Sequence, residues 1–178
     1  MKQPLIQSAR QLRLSGLLDS LEVRLQEARA SNLTHEEFLE LIFQDEINVR
    51  SQRLLERRKK LAAFRDQRSL EEFNWEFNPS IPRKDIFELA TGEFIRKSHD
   101  VLFVGPPGTG KSHLAQAIGL AAIRSGHPVL YRSIFDVVRD LFQDENLKGH
   151  ARAMTQYLKP DLLIIDDMGI KPQPSHNS

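Results

Sequence analysis

The stretch "GPPGTGKS", Gly105 to Ser112, constrains this chain more than any other. It fits the pattern G-x-x-x-x-G-K-[ST] and lies between an apolar run, "DVLFVG" (Asp100 to Gly105), and a helical pattern, "SHLAQAIGLAAIRSG". That strand–loop–helix placement is what gives the pattern its chemistry. Gly105, Gly108 and Gly110 let the backbone curl until successive N–H groups converge on phosphate oxygens, with Pro106, Pro107 and Thr109 completing the loop. The following helix adds the positive end of its dipole. Lys111 supplies a mobile cation for the β- and γ-phosphates of a nucleotide, and Ser112 offers a hydroxyl to Mg²⁺. Gly105 to Ser112 are therefore the candidate cofactor-binding residues.

The segments around this loop alternate between strand and helix. Gly126 ends the helix after the loop, "PVLYRS" (Pro128 to Ser133) reads as a second strand, and Ser133 is placed to cap the helix "IFDVVRDLFQDE". A third strand, "DLLIIDD", sets Asp166 and Asp167 at the carboxyl end of an apolar run, where open α/β sheets bind ligands. Asp166 is the candidate Mg²⁺ ligand, through water. Asp167 and Lys111 are the candidate catalytic residues, Asp167 orienting or deprotonating an attacking water. His113 reads as packing or surface, and the alternating Phe73, Trp75 and Phe77 read as core, with adenine-side packing as the alternative. Strands separated by helices predict crossover connections and a parallel sheet.

The first half has a different rhythm. Leu14, Leu17, Leu18, Leu21, Leu25 and Ala28 recur at three- and four-residue steps, giving one apolar helical face. "SNLT" interrupts it, and Thr34 with Glu37 forms a capping box for the next helix. Phe38, Leu41, Ile42, Ile47, Leu54 and Leu61 carry that helix to about Phe64. From Arg50 to Arg68, eight basic residues face only Glu56 and Asp66. Arg50, Arg53, Arg57 and Lys60 fall on one stripe, beside the stripe of Ile47, Leu54 and Leu61. Such a stripe suits either solvent or a nucleic-acid backbone; nothing in it reads bases, so DNA binding would be sequence-independent and salt-sensitive.

The expected organisation is a helical domain over residues 1–68, a connecting segment over 69–99 that includes the proline-rich "NPSIPRKD", a nucleotide-binding domain over 100–170, and a tail over 171–178. The chain has no cysteine, which removes disulfides and thiolate metal sites and fits a reducing cytoplasm. No apolar run approaches the ~18 residues of a membrane span. The charged N-terminal leucine pattern is not that of a cleaved signal peptide.

Taken together these residues resemble the IstB-type transposition helper ATPases, relatives of the DnaC-type helicase loaders within the AAA+ class. The resemblance rests on "LRLSGLLDSL", "FLELIFQDEINVRSQR", "SLEEFNWEF", "GPPGTGKSHLAQAIG" and "LLIIDDMG". It implies an α/β P-loop NTPase domain of AAA+ type behind an all-helical N-terminal domain. It also implies ATP and Mg²⁺ as cofactors, and a transposase, DNA and further copies of the chain as partners. Lys111, Ser112, Asp166 and Asp167 fall on the family's phosphate, magnesium and water-activating positions. Past Gly169 the family continues through two strands, a polar sensor residue, an arginine finger and a helical lid. "KPQPSHNS" is unlike that continuation, so the expectation is a truncated chain with an incomplete sheet and impaired hydrolysis. A helicase loader, a non-enzymatic DNA- or partner-binding remnant and a decayed gene product remain alternative readings.

Overall fold

A computed structural model describes residues 3–142 and 147–166. Its contacts divide the chain into two compact units, Met1–Glu56 and Arg57–Ser178.

The first unit contains α1 (Gln3–Gln11), α2 (Ser15–Ala30) and most of α3 (His35–Ala62). Ala9, Leu17, Leu21 and Ile42 form its core, with Leu14, Leu18, Leu25 and Phe38 packed around them. The α2 periodicity therefore buries the face its leucines mark. The capping box that opens α3 is made in both directions. Glu37 N donates to Thr34 Oγ1 at 3.2 Å, and Thr34 N donates to Glu37 Oε2 at 2.7 Å.

The start of α2 is capped from a distance. Leu14 at the N-cap offers no side-chain acceptor. Instead Glu46 of α3, only 5% exposed, accepts from Leu17 N at 3.0 Å and from Arg50 Nε at 2.6 Å. A carboxylate there satisfies orphan amides and meets the positive end of the α2 dipole. The approach needs Gly16, where a Cβ would sit 2.8 Å from Val49 Cβ. Two helical turns further along α2, Arg24 Nε and Nη2 grip the two oxygens of Asp45 at 2.8 and 2.9 Å.

These two carboxylates make the first unit acid-sensitive. The Arg24 guanidinium, aided by Ser20, holds Asp45 down at about 2. Burial pushes Glu46 up, but hydrogen bonds from Leu17, Arg50 and Gly16 outweigh it, leaving a net depression. Groups depressed on folding stabilise fully above their unfolded values and lose that contribution as pH falls through the folded ones. The helical circular-dichroism melt should therefore hold steady above about pH 4.5. It should then lose midpoint down to about pH 2, and Asp45→Asn should flatten that decline. At neutral pH Glu46→Ala should cost about 1–3 kcal/mol, since it leaves buried amides without an acceptor.

One part of the α3 reading is corrected. Ile47, Leu54 and Leu61 were expected to anchor the helix, but all three are exposed, and so is Phe43. Their spacing marks an apolar stripe, but Ile42 on another face of α3 is the residue that enters the core.

The second unit starts before the expected limit at residue 68, because the end of α3 and the chain after it pack onto the nucleotide-loop helix. Ala62 is buried, Phe64 lies against Gly119, and Asp66 N donates to Gln116 Oε1 at 3.2 Å. It continues with α4 (Arg83–Ala90), α5 (Glu93–Arg96), α6 (Lys111–Arg124), β1 (Val129–Ser133), α7 (Ile134–Phe142), α8 (Leu147–Leu158) and β2 (Leu162–Asp166). The helices α4 and α5 were not anticipated; α4 begins directly after Pro82, inside the segment assigned to a linker. Leu70, Phe73, Ile86, Leu114, Ala117 and Ile118 form the core there. Gly126, at φ +100°, lets the chain leave α6, and Ser133 and Asp136 cap α7 reciprocally at 3.0 and 2.8 Å.

β1 and β2 pair in parallel, with Tyr131 opposite Ile164 and Ser133 opposite Asp166. The run expected as the first strand does not join them. Residues 101–106 form no strand and no ladder among the described residues, and Leu102 and Val104 are 86% and 84% exposed. A cavity of ≈ 1010 Å³ lies between this segment and β2. An apolar pattern supplies the faces of a strand, but the strand itself exists only through a neighbour's hydrogen bonds. β2 is accordingly half-buried rather than buried, with Ile165 50% exposed.

Candidate nucleotide site

The loop is shaped by two left-handed glycines. Gly108 has φ +79° and Gly110 φ +93°, and Gly110 is also the N-cap of α6. The turn therefore delivers the chain directly into a 14-residue helix whose first amides face the loop. Phe73 underlies this point: a Cβ on Gly110 would lie 2.8 Å from its ring. Thr109 Oγ1 donates to the Pro106 carbonyl at 2.9 Å. Lys111 Nζ donates to the carbonyls of Gly105 and Pro106 at 2.8 and 2.7 Å. Threonine and lysine thus close the end of the loop back onto its beginning.

The acid comes from the end of β2. Ser112 Oγ donates to Asp166 Oδ1 at 3.1 Å, so the two residues proposed for magnesium lie in contact. Tyr131 Oη donates to the other oxygen, Oδ2, at 2.5 Å. The donor set suits Mg²⁺: a hydroxyl and one carboxylate are hard oxygen ligands, and this ion commonly takes few protein ligands beside phosphates and water. No group of three or more acidic or imidazole side chains forms a metal cage among the described residues. Asp167 lies outside them.

Sequence reasoning missed Tyr131. It is 2% exposed, and burial together with Asp166 pushes its phenol far above the usual tyrosine range. A signal for it existed in the register. Tyr131 pairs with Ile164, and Asp166 lies two residues further along the same face of β2, a diagonal position that a long aromatic side chain reaches.

The remaining candidates divide. His113 Nε2 donates to the Ser69 carbonyl at 3.0 Å and sets its ring edge against Phe73, which is packing. Phe73 is core, Trp75 is half-buried beside it, and Phe77 is exposed, contrary to the expectation of core; the three form no strand, so alternation does not govern them. On α3, Arg50 is bonded to Glu46 and to the Arg13 carbonyl, and Arg53 to the Ser15 hydroxyl. All four of Arg50, Arg53, Arg57 and Lys60 are exposed.

With a glycine-rich loop opening α6 and an acidic strand end reaching its second residue, the second unit is an incomplete α/β domain of the P-loop NTPase class. The chain belongs to the IstB-like ATP binding protein family, whose pattern matches residues 7–177. It is 35% identical to an IS21 insertion-sequence protein of Pseudomonas aeruginosa, over 90% of this chain and 61% of that one. It is also 35% identical to an insertion-sequence protein of Mycobacterium tuberculosis, over 91% and 64%. An IS5376 protein of Geobacillus stearothermophilus is 29% identical over 99% and 71%. All three are named for ATP binding. The chain thus spans less than two thirds of the length of the first two relatives. No helix among the described residues is long and apolar enough to cross a membrane.

Proposed function

We propose that this chain binds ATP with Mg²⁺ at Gly105–Ser112 and acts as an ATP-binding helper in the transposition of an insertion sequence. The observation carrying the reading is the contact of Ser112 Oγ with Asp166 Oδ1 beside a loop turned by the left-handed Gly108 and Gly110. Loop amides and the α6 N-terminus receive the phosphates, Lys111 neutralises them, and Ser112 and Asp166 hold the ion. Magnesium, when bound, neutralises phosphate charge. The relatives are named for insertion sequences and for ATP binding, which supports the transposition setting. A transposase as partner, assembly of several copies on DNA and a cytoplasmic location are part of the same proposal. A helicase-loader role would instead be favoured by a replicative helicase copurifying in place of a transposase.

The test is equilibrium binding of a fluorescent ATP analogue in Mg²⁺, displaced by unlabelled ATP. Saturable, displaceable binding at micromolar concentrations is expected. Absence of binding at millimolar nucleotide would end the reading.

DNA contact is proposed for the basic part of α3, narrowed to Arg57 and Lys60, because Arg50 and Arg53, exposed as well, are tied to Glu46, the Arg13 carbonyl and Ser15. Removing Arg57 and Lys60 together should weaken binding to any duplex alike and lower the slope of log K against log salt by about 2. Arg50→Ala, by contrast, should act first on melting, since its guanidinium is tied to Glu46. Equal losses of DNA affinity from both variants, with melting unchanged, would restore the whole stripe as the contact surface.

A further inference from the structure

We infer that Tyr131 is a positioning residue for the magnesium-bound nucleotide, acting through Asp166 by fixing which carboxylate oxygen faces Ser112. The inference rests on the ATP and Mg²⁺ reading of the site and adds to it a residue that no motif contains.

The geometry is specific. A strand-end aspartate has a two-fold terminal torsion with broad wells, so its oxygens exchange roles unless something distinguishes them. Here Oδ2 takes the Tyr131 hydroxyl at 2.5 Å, and Oδ1 takes the Ser112 hydroxyl at 3.1 Å. The carboxylate is thereby bridged between β1 and the first turn of α6. Its backbone is fixed as well, by the ladder that sets Ser133 opposite Asp166.

Tyr131 is itself immobilised. Its ring is tilted 59° against Phe64 at 5.9 Å, and Phe64 is wedged beside Gly119, where a Cβ would come within 2.9 Å of the Phe64 ring. Only Gly at 119 admits that ring next to α6. The arrangement runs from Gly119 through Phe64 to Tyr131 and ends on the ion-facing acid. Partners that orient metal-binding carboxylates commonly matter about 10- to 100-fold in metal affinity. A hydroxyl donated from a buried phenol is such a partner: it fixes orientation without adding charge.

The test is Tyr131→Phe in the full chain, which keeps the ring and removes only the hydroxyl. Affinity for the fluorescent ATP analogue is measured in millimolar Mg²⁺ and again in EDTA. In the variant, the tightening produced by Mg²⁺ should shrink about tenfold, with affinity in EDTA unchanged within about twofold. The same comparison in an Asp166→Asn background should show no further effect of Tyr131→Phe, because the hydroxyl has lost its charged partner. An unchanged magnesium effect, or equal losses with and without Mg²⁺, overturns the inference and leaves Tyr131 as packing. Failure of the wild-type chain to bind the analogue at all would instead overturn the ATP reading. Should Tyr131→Phe not fold, tyrosine Cζ carbon shifts of the wild type decide the matter, with Tyr157 assigned by its own phenylalanine variant. The Tyr131 signal should move on adding Mg²⁺ to the nucleotide complex, and a signal blind to Mg²⁺ counts against the inference.

Discussion

Lys111→Ala should melt at the same temperature with and without Mg-ATP, while the wild-type chain gains roughly 5–10 °C at nucleotide concentrations about 100 times its dissociation constant. That gain corresponds to about 2.7 kcal/mol, the mass-action stabilisation of a folded state that alone binds ligand. Lysine is expected to matter this much because it is the side chain from which the loop supplies a full charge to the phosphates. Without nucleotide, the same substitution should be nearly silent. The carbonyls that Lys111 serves, Gly105 and Pro106, are exposed, so water replaces the ammonium at little cost. The contrast separates binding from folding. A variant that still shifts like the wild type would place the nucleotide elsewhere.

Gly110→Ala should be the most damaging substitution in the loop to folding and binding alike, by about 2–5 kcal/mol in stability. Two costs combine. An alanine at φ +93° sits in the left-handed region, which costs roughly 1–2 kcal/mol. Its Cβ would also stand 2.8 Å from Phe73 Cε2. Phe73 cannot yield easily, since Trp75 and His113 hold its ring at 4.9 and 5.0 Å, and overpacking of this kind costs about 1–3 kcal/mol. Gly108→Ala provides the internal comparison: its φ is +79°, but nothing lies within 4 Å of the added methyl. It should show the strain alone. Phe73→Leu should recover part of the Gly110→Ala loss and none of the Gly108→Ala loss. Equal melting points for the two glycine variants would mean that Phe73 exerts no pressure on the loop.

What could be read from the sequence was local. The pairs Thr34–Glu37 and Ser133–Asp136 span three residues, and both caps are made. Gly126 ends α6 for the conformational reason that its residue type suggests. The loop glycines and the β2 acid belong to patterns whose spacing is itself the chemistry. What could not be read depended on partners distant in the chain. The α2 cap comes from Glu46, 29 residues beyond the amide that it accepts from. Nothing in "FQDEIN" marks that acid as buried. The stripe of Ile47, Leu54 and Leu61 announces an apolar face but not whether anything covers it. Tyr131 needed the β1–β2 register, which periodicity does not supply. The segment 101–106 has a strand's composition and lacks a strand's neighbour.

That last feature bears on how tightly the loop can hold anything. In a P-loop flanked by a laddered strand on one side and a helix on the other, both ends of the loop are already fixed before ligand arrives. Here the α6 side is anchored through Phe73 and the first helical turns, while the other side has only Phe103 and the hydrogen bonds of Thr109 and Lys111 to Gly105 and Pro106. Residues 101–106 lead into it with no ladder and, apart from Phe103 against the core, with exposed side chains. Backbone held this weakly keeps its conformational entropy, about 1–2 kcal/mol per residue, until something orders it. Phosphate binding would have to supply that ordering, and each residue fixed in the process subtracts from the affinity that the loop's amides could otherwise deliver. Anything that filled the cavity beside β2 and gave this segment a hydrogen-bonding neighbour would then tighten nucleotide binding without touching a single phosphate contact.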